Sequence, residues 1–271
     1  EELYDTNPHN EGLKNGLAIS YEKLGEIYKA KGQFDKALDF FLKERTLQEE
    51  LYDTNPHNEG LKNGLAISYS KLGDIYQAKG QFDKALDFFL KERTLQEELY
   101  DTNPHNEGLK NGLAISYSKL GDMYQAKGQF DKALDFFLKR SKLGEELFAD
   151  NPHNEGLKKG LAISYGKLGD IYQAKGQFDT ALDFFLKVTD LFEALYADNP
   201  YNVNLENGLA ISYYKLAELY RAQGSTAQAK EYYERAIEVW EGLYERTRWG
   251  QIGGYLETVR ERVAALGMGN T

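Results

Sequence analysis

Residues 64–89 read GLAISYSKLGDIYQAKGQFDKALDFF, and the spacing of apolar residues in this stretch decides the fold. Leu65, Tyr69, Leu72 and Tyr76 extend a stripe that begins at Leu61 and recurs at steps of three and four, one face of an α-helix. Gly80 interrupts it, as a glycine just past a helix end does. Phe82, Ala85, Phe88 and Phe89 open a second stripe, which runs through Leu95 and Leu99 and stops at the polar Asp101-Thr102-Asn103. Upstream, Asn55-Pro56 reads as a helix start, because Asn caps and Pro suits the first helical position. The spacing predicts a helix A over about 56–78 and a helix B over about 82–100. Period-two alternation is missing and Val is scarce, so no strand competes.

Outward from this stretch the chain repeats itself. GLAISY begins at Gly16, Gly64, Gly112, Gly160 and Gly208, each 48 residues after the last. NPHN stands at Asn7, Asn55, Asn103 and Asn151, and NPYN at Asn199. Five units fill 1–240 (1–48, 49–96, 97–144, 145–192 and 193–240), and a different tail covers 241–271. The expected architecture is therefore all-α: a right-handed α-solenoid of antiparallel helix pairs, each packed on its neighbours. Residues 1–6 match the tail of a helix B, so the sequence starts inside a repeat, as a piece of a longer array would. Gln251 to Leu266 carries Ile252, Tyr255, Leu256, Val259, Val263 and Leu266 at helical spacing and reads as a C-terminal capping helix. Gly60, Gly64 and Gly73 lie inside helix A at a cost of about 1 kcal/mol each against Ala. Close approach of a neighbouring helix is the expected reason.

Composition removes several classes of function. The chain has 271 residues, 33 basic against 43 acidic, and a formal net charge of −10. That balance argues against nucleic acid and anionic membrane as partners. No apolar run reaches the roughly 18 residues of a membrane helix, and no signal peptide is visible. A cytoplasmic location is the expectation. Cysteine is absent, which removes disulfides and thiolate chemistry. The four histidines, His9, His57, His105 and His153, come one per repeat, too far apart to share a metal ion. No nucleophile elbow, phosphate loop or zinc-protease helix is present, so neither enzyme activity nor a cofactor is expected.

Tyr21-x2-Leu24-Gly25-x2-Tyr28, followed by Gly32, Phe34, Ala37 and Phe41, resembles the tetratricopeptide repeat, with Tyr where that family often has Trp. The set returns as Tyr69, Leu72, Gly73, Tyr76, Gly80, Ala85 and Phe89, then from Tyr117 and from Tyr165. The fifth unit keeps it as Tyr213, Leu216, Ala217, Tyr220, Gly224, Ala229, Tyr233 and Ala236. The 48-residue unit exceeds the family's 34 by about two turns per helix, roughly 10 Å of extra length. Three residues after the Phe of helix B the family usually has a small residue. Here that place holds Glu44, Glu92, Arg140 and Val188, with only Ala236 conforming. Looser packing or splaying of helix B is the expectation there.

The resemblance implies a protein-interaction scaffold whose concave face, lined by helix A, binds a peptide, helix or partner domain, including in regulatory, sensor and signalling proteins. Carried over by position, that face holds Ile19, Glu22, Glu26 and Lys29 in the first unit and Ile67, Ser70, Asp74 and Gln77 in the second. Ile115, Ser118, Asp122 and Gln125 follow, then Ile163, Gly166, Asp170 and Gln173, then Ile211, Tyr214, Glu218 and Arg221. The three differences between the first two units all fall in this set, as a binding surface or drift at exposed sites would produce. Four of the five differences between the second and third units lie in helix B, which favours drift. The acidic series at Glu26 suits a basic or amphipathic partner. Lys23, Lys71, Lys119, Lys167 and Lys215 stand three residues before it, where i,i+3 pairing would cancel part of the field. The isoleucines are an apolar ladder if exposed and core if the long helices cover them. The rival expectation is self-association through stacked repeats.

Overall fold

In a computed structural model, which describes residues 1–268, all regular structure among those residues is helical. The order is α1 (Glu2–Thr6), α2 (Glu11–Ala30), α3 (Phe34–Thr54), α4 (Glu59–Ala78), α5 (Phe82–Thr102) and α6 (Glu107–Ala126). Then come α7 (Phe130–Asp150), α8 (Glu155–Ala174), α9 (Phe178–Asp198), α10 (Val203–Ala222), α11 (Thr226–Thr247) and α12 (Gly250–Met268). Within each of two compact units, consecutive helices pack as hairpins stacked in chain order, an all-α solenoid. The chain divides into two compact units, the first Glu1–Leu143 and the second from Gly144 on.

The helix ends follow from short sequence signals. Gly80 adopts φ +71°, open to glycine at little cost. Its N–H donates to the Gln77 carbonyl and that of Gln81 to Tyr76, each at 2.9 Å, which satisfies the last carbonyls of α4. Helix A begins three residues later than the Asn-Pro signal implied. Asn55 ends α3, its N–H donating to the Tyr52 carbonyl. Asn58 caps α4, its side chain accepting from Leu61 N–H at 3.1 Å. Pro56 forces the residue before it into extended backbone, so Asn55 cannot continue into a helix and the second Asn of NPHN takes the cap. Pro56 and the exposed His57 form the intervening turn.

In the first unit the hairpin core is built where Gly73 faces Phe89. A Cβ on Gly73 would lie 2.3 Å from the Phe89 ring, which is itself fully buried. Gly64 makes similar room for the Gln48 amide of the preceding helix, whereas Gly60 meets only its own cap, Asn58. Tyr76 stacks on Phe88 at 5.5 Å between centroids, and Tyr69 tilts onto the same ring at 6.0 Å. The position expected to pack loosely is closed: Glu44 and Glu92 are 2% and 4% exposed. Each has its own lysine beside it, Lys71 near Glu44 with its Nζ 5.9 Å from the Phe41 ring centroid and Lys119 near Glu92 with its Nζ 5.2 Å from that of Phe89, so the two carboxyls are covered rather than splayed apart.

In the second unit Phe185 fills the room at Gly169 and Phe192 that at Gly208. Trp240 is buried and donates through Nε1 to Asn207 Oδ1 at 2.8 Å. Helix α12 packs on α11 and buries Ile252, Leu256 and Val259 against this cluster, with Tyr255, Val263 and Leu266 partly covered.

Candidate functional site

The exposed helix-A face is set by what the hairpins leave over. Leu65, Tyr69, Leu72 and Tyr76 turn inward, so the residues one-third of a turn away face solvent. In the first unit Ile19, Ile67 and Ile115 are 40%, 41% and 47% exposed; in the second, Ile163 and Ile211 are 52% and 37% exposed. The long helices therefore do not bury the isoleucines. Gln77 and Arg221 are exposed beside them, and Glu22, Glu26, Lys29, Ser70, Asp74, Ser118 and Gln125 are half-buried. Asp122, Gly166, Asp170, Gln173 and Glu218 are half-buried too. Tyr214 turns partly into the core, its ring 5.9 Å from Tyr233 and 6.1 Å from Trp240.

The charge pairing differs from the expected i,i+3 pattern. Lys71 of α4 reaches back to the preceding pair, donating to Glu26 at 2.9 Å and lying 3.2 Å from Glu22. Lys119 likewise takes Asp74 at 2.9 Å and Ser70, and in the second unit Lys215 takes Asp170 at 2.5 Å. A lysine on the next helix A can approach the carboxylate end-on, whereas one on the same helix runs parallel to it. In the last pair Glu218 is instead held by Arg221 at 2.6 Å, by the Tyr233 hydroxyl and by Arg262 of α12 at 3.6 Å. The acidic series is thus largely neutralised from within.

Sequence reasoning missed the carboxyls beneath this face. Burial pushes Glu44 up to about 8, with Glu22 and Glu26 adding to the shift and Lys71 opposing it. Burial pushes Glu92 up to about 7, against the pull of Lys119 and the Ser70 hydroxyl and with a further push from Asp74. Glu44 Oε2 and Glu92 Oε2 have no hydrogen-bond partner among the described residues. The third pair replaces this carboxylate by Arg140, whose guanidinium burial pulls down while Asp122 opposes. The departure from a small residue at these positions was the available signal. Away from the helix-A face, a groove of about 460 Å³ lies over Leu65 and Tyr69, edged by Glu49, Asp53 and Lys91. The Tyr69 hydroxyl donates to Glu49 Oε1 there at 2.9 Å.

Among the described residues no group of three or more His, Asp or Glu could hold a metal ion, and no helix is long and apolar enough to cross a membrane. What the surface offers is an apolar ladder flanked by paired charges, which suits non-covalent recognition.

The chain is similar to known repeat proteins. No curated protein sequence matches it. Among solved structures, a putative kinesin light chain with nearly identical TPR-like repeats from Podosopora anserina has 20% identity and a TM-score of 0.63, covering 87% of this chain and 98% of that one. BtubC from P. vanneervenii has 19% identity and a TM-score of 0.56, covering 88% and 93%. The S. pombe nuclear import adaptor Nro1 has 10% identity and a TM-score of 0.61, covering 95% and 88%. These likenesses show the fold alone. Family models described as tetratricopeptide repeat match residues 16–98, 64–146, 162–194 and 210–239. With helix pairs in phase with those matches and glycine facing an aromatic ring inside them, the chain belongs to the tetratricopeptide repeat family.

Proposed function

We propose that this chain is a non-enzymatic protein-interaction scaffold that binds a peptide, helix or partner domain on its helix-A face. The exposed isoleucine ladder carries the reading. Five isoleucines at 48-residue spacing stay between 37% and 52% exposed while their helix neighbours are buried. Covering the exposed part of one such side chain contributes about 1 kcal/mol. Several rungs engaged together suit an amphipathic segment. A regulatory or sensor role follows from the same reading. The test uses Ile67→Glu with Ile115→Glu, two exposed positions of the first unit. Retention of a partner by the chain as bait is expected to be lost, with helix content unchanged in circular dichroism. Undiminished retention moves the site off this face.

Self-association is the second reading. The near-identity of residues 1–48 and 49–96, which differ at three positions, supports it, because a face that seats one repeat suits its like in a second copy. Light scattering across a concentration series separates the two: a constant mass favours the scaffold, a rising mass the stacked assembly.

A further inference from the structure

We propose that Glu22, Glu26 and Glu44 form a subsite for one basic side chain, arginine or lysine, of the segment bound on the helix-A face of the first unit. The inference rests on the helix-A face as binding surface and adds the chemistry of one anchor. Two carboxyl groups here share one bridging ammonium, and a third is buried close enough to feel all of them. Lys71 is 2.9 Å from Glu26 and 3.2 Å from Glu22, and Lys29 is 4.0 Å from the other Glu26 oxygen. Beneath them Glu44 is 98% buried by its 2% exposure, and its Oε2 has no partner among the described residues. A carboxylate out of water and without a full countercharge is costly, so burial raises Glu44 to about 8 and leaves it mostly protonated at pH 7.

A guanidinium or ammonium resting on Glu22 and Glu26 supplies the missing charge. Glu44 then releases its proton to solvent, and the cluster closes as an ion network. The groups facing Glu44 are Glu22 and Glu26 from α2 and Lys71 from α4. The other pairs lack this set. Ser70 stands in place of Glu22 in the second pair and is already taken by Lys119. Val188 and Ala236 stand in place of Glu44 in the fourth and fifth. The subsite is single, so it would fix the register of a peptide whose apolar residues lie on the ladder. Ile19 one turn before Glu22, and Ile67 one turn before Lys71, predict apolar residues on both sides of the basic one.

The test compares a short leucine-rich peptide carrying one central arginine with the same peptide carrying citrulline, a neutral isostere. Binding to the full chain is read by NMR of isoleucine methyls and ¹³C-labelled glutamate carboxyls at pH 7. The arginine peptide is expected to bind about tenfold tighter. The Glu44 carboxyl signal should move to its ionised position, with one proton released per peptide. Glu44→Gln is expected to abolish the preference for arginine while leaving citrulline binding intact. Glu22→Gln, on a half-exposed residue, should do the same should the buried change impair folding. Equal binding of the two peptides with Ile19 and Ile67 methyls perturbed overturns the subsite and leaves the face. Methyls undisturbed by either peptide overturn both.

Discussion

The second helix pair, in the first unit, and the fifth, in the second unit, solve one packing problem with different chemistry. In the second, glycine at 73 admits the Phe89 ring, and Glu92 is buried with one oxygen unpartnered. In the fifth, Ala217 stands for the glycine, Tyr233 for the phenylalanine and Ala236 for the glutamate, all three fully buried. The Tyr233 hydroxyl finds Glu218, Trp240 binds Asn207, and Arg246 pairs with the buried Glu206. The fifth pair satisfies its polar groups, and the second leaves some unsatisfied. A shared helix-pair geometry thus tolerates wide changes in the polarity of its joints, and stability and ligand response can be placed in different repeats.

The sharpest way to break this comparison is Trp240→Ala, which removes the anchor of the fifth pair and its bond to Asn207. It should cost about 4 kcal/mol in chemical denaturation. A loss under 1 kcal/mol would show that the fifth joint is held elsewhere. Next comes Gly73→Ala. Alanine favours a helix by about 1 kcal/mol over glycine. Yet a Cβ there would meet the Phe89 ring at 2.3 Å. The expected net effect is a loss of about 2 kcal/mol, even though the fifth pair carries alanine at the same place. A higher melting temperature would instead mean that Phe89 can step aside at little cost.

A pH series sharpens the contrast further. The Glu92 carboxyl is raised from 4.5 to about 7 in the fold, so between those values the unfolded chain gives up a proton that the folded chain keeps. Its share of the stability therefore falls as pH rises through that window, by up to about 1.4 kcal/mol per pH unit, and Glu44, raised to about 8, adds a second share that falls over a slightly wider one. Glu92→Gln should about halve the slope below pH 7, and Glu92→Gln with Glu44→Gln should flatten it. Hydrogen exchange in α5 should report the trend, and α11, with Ala236, should not follow it. The smallest effect concerns the tyrosine joints. Tyr69→Phe loses one bond to Glu49, about 1 kcal/mol. Tyr213→Phe loses its bond to Glu193 at 2.8 Å and the one it accepts from Arg235 at 2.7 Å, and should cost about 1.5 kcal/mol in the same denaturation assay.

Helix pairs, their order and the close approach of a neighbouring helix at Gly64 and Gly73 were legible because they depend on spacing along one chain, whereas Gly60 meets only its own cap. Leu72 and Tyr76 can share a helix face in only one way, and Gly80 can end it in only one way. What escaped depends on the offset between helices. Nothing in the order of residues says that Lys71 turns to Glu26 of the preceding pair rather than toward its own Asp74. Nor could spacing say that NPHN caps with its second asparagine, since both are good caps and only the chain path around Pro56 separates them. Glu44 illustrates the same limit. A glutamate where a small residue is usual reads as looseness until its burial beside Lys71 is seen.

The backward reach of Lys71 and Lys119 bears on heredity as well as on packing. Each joint is written partly in one repeat and partly in the next, in nearly the same words every time. Excision of residues 49–96 would bring Lys119 to Glu26, where Lys71 stands now, and Lys127 to Asp35, the present partner of Lys79. Tyr117 would keep Glu97, which travels with it. A slip of the replication machinery by one 48-residue period within these first repeats would therefore hand the cell a shorter or longer array with those seams intact.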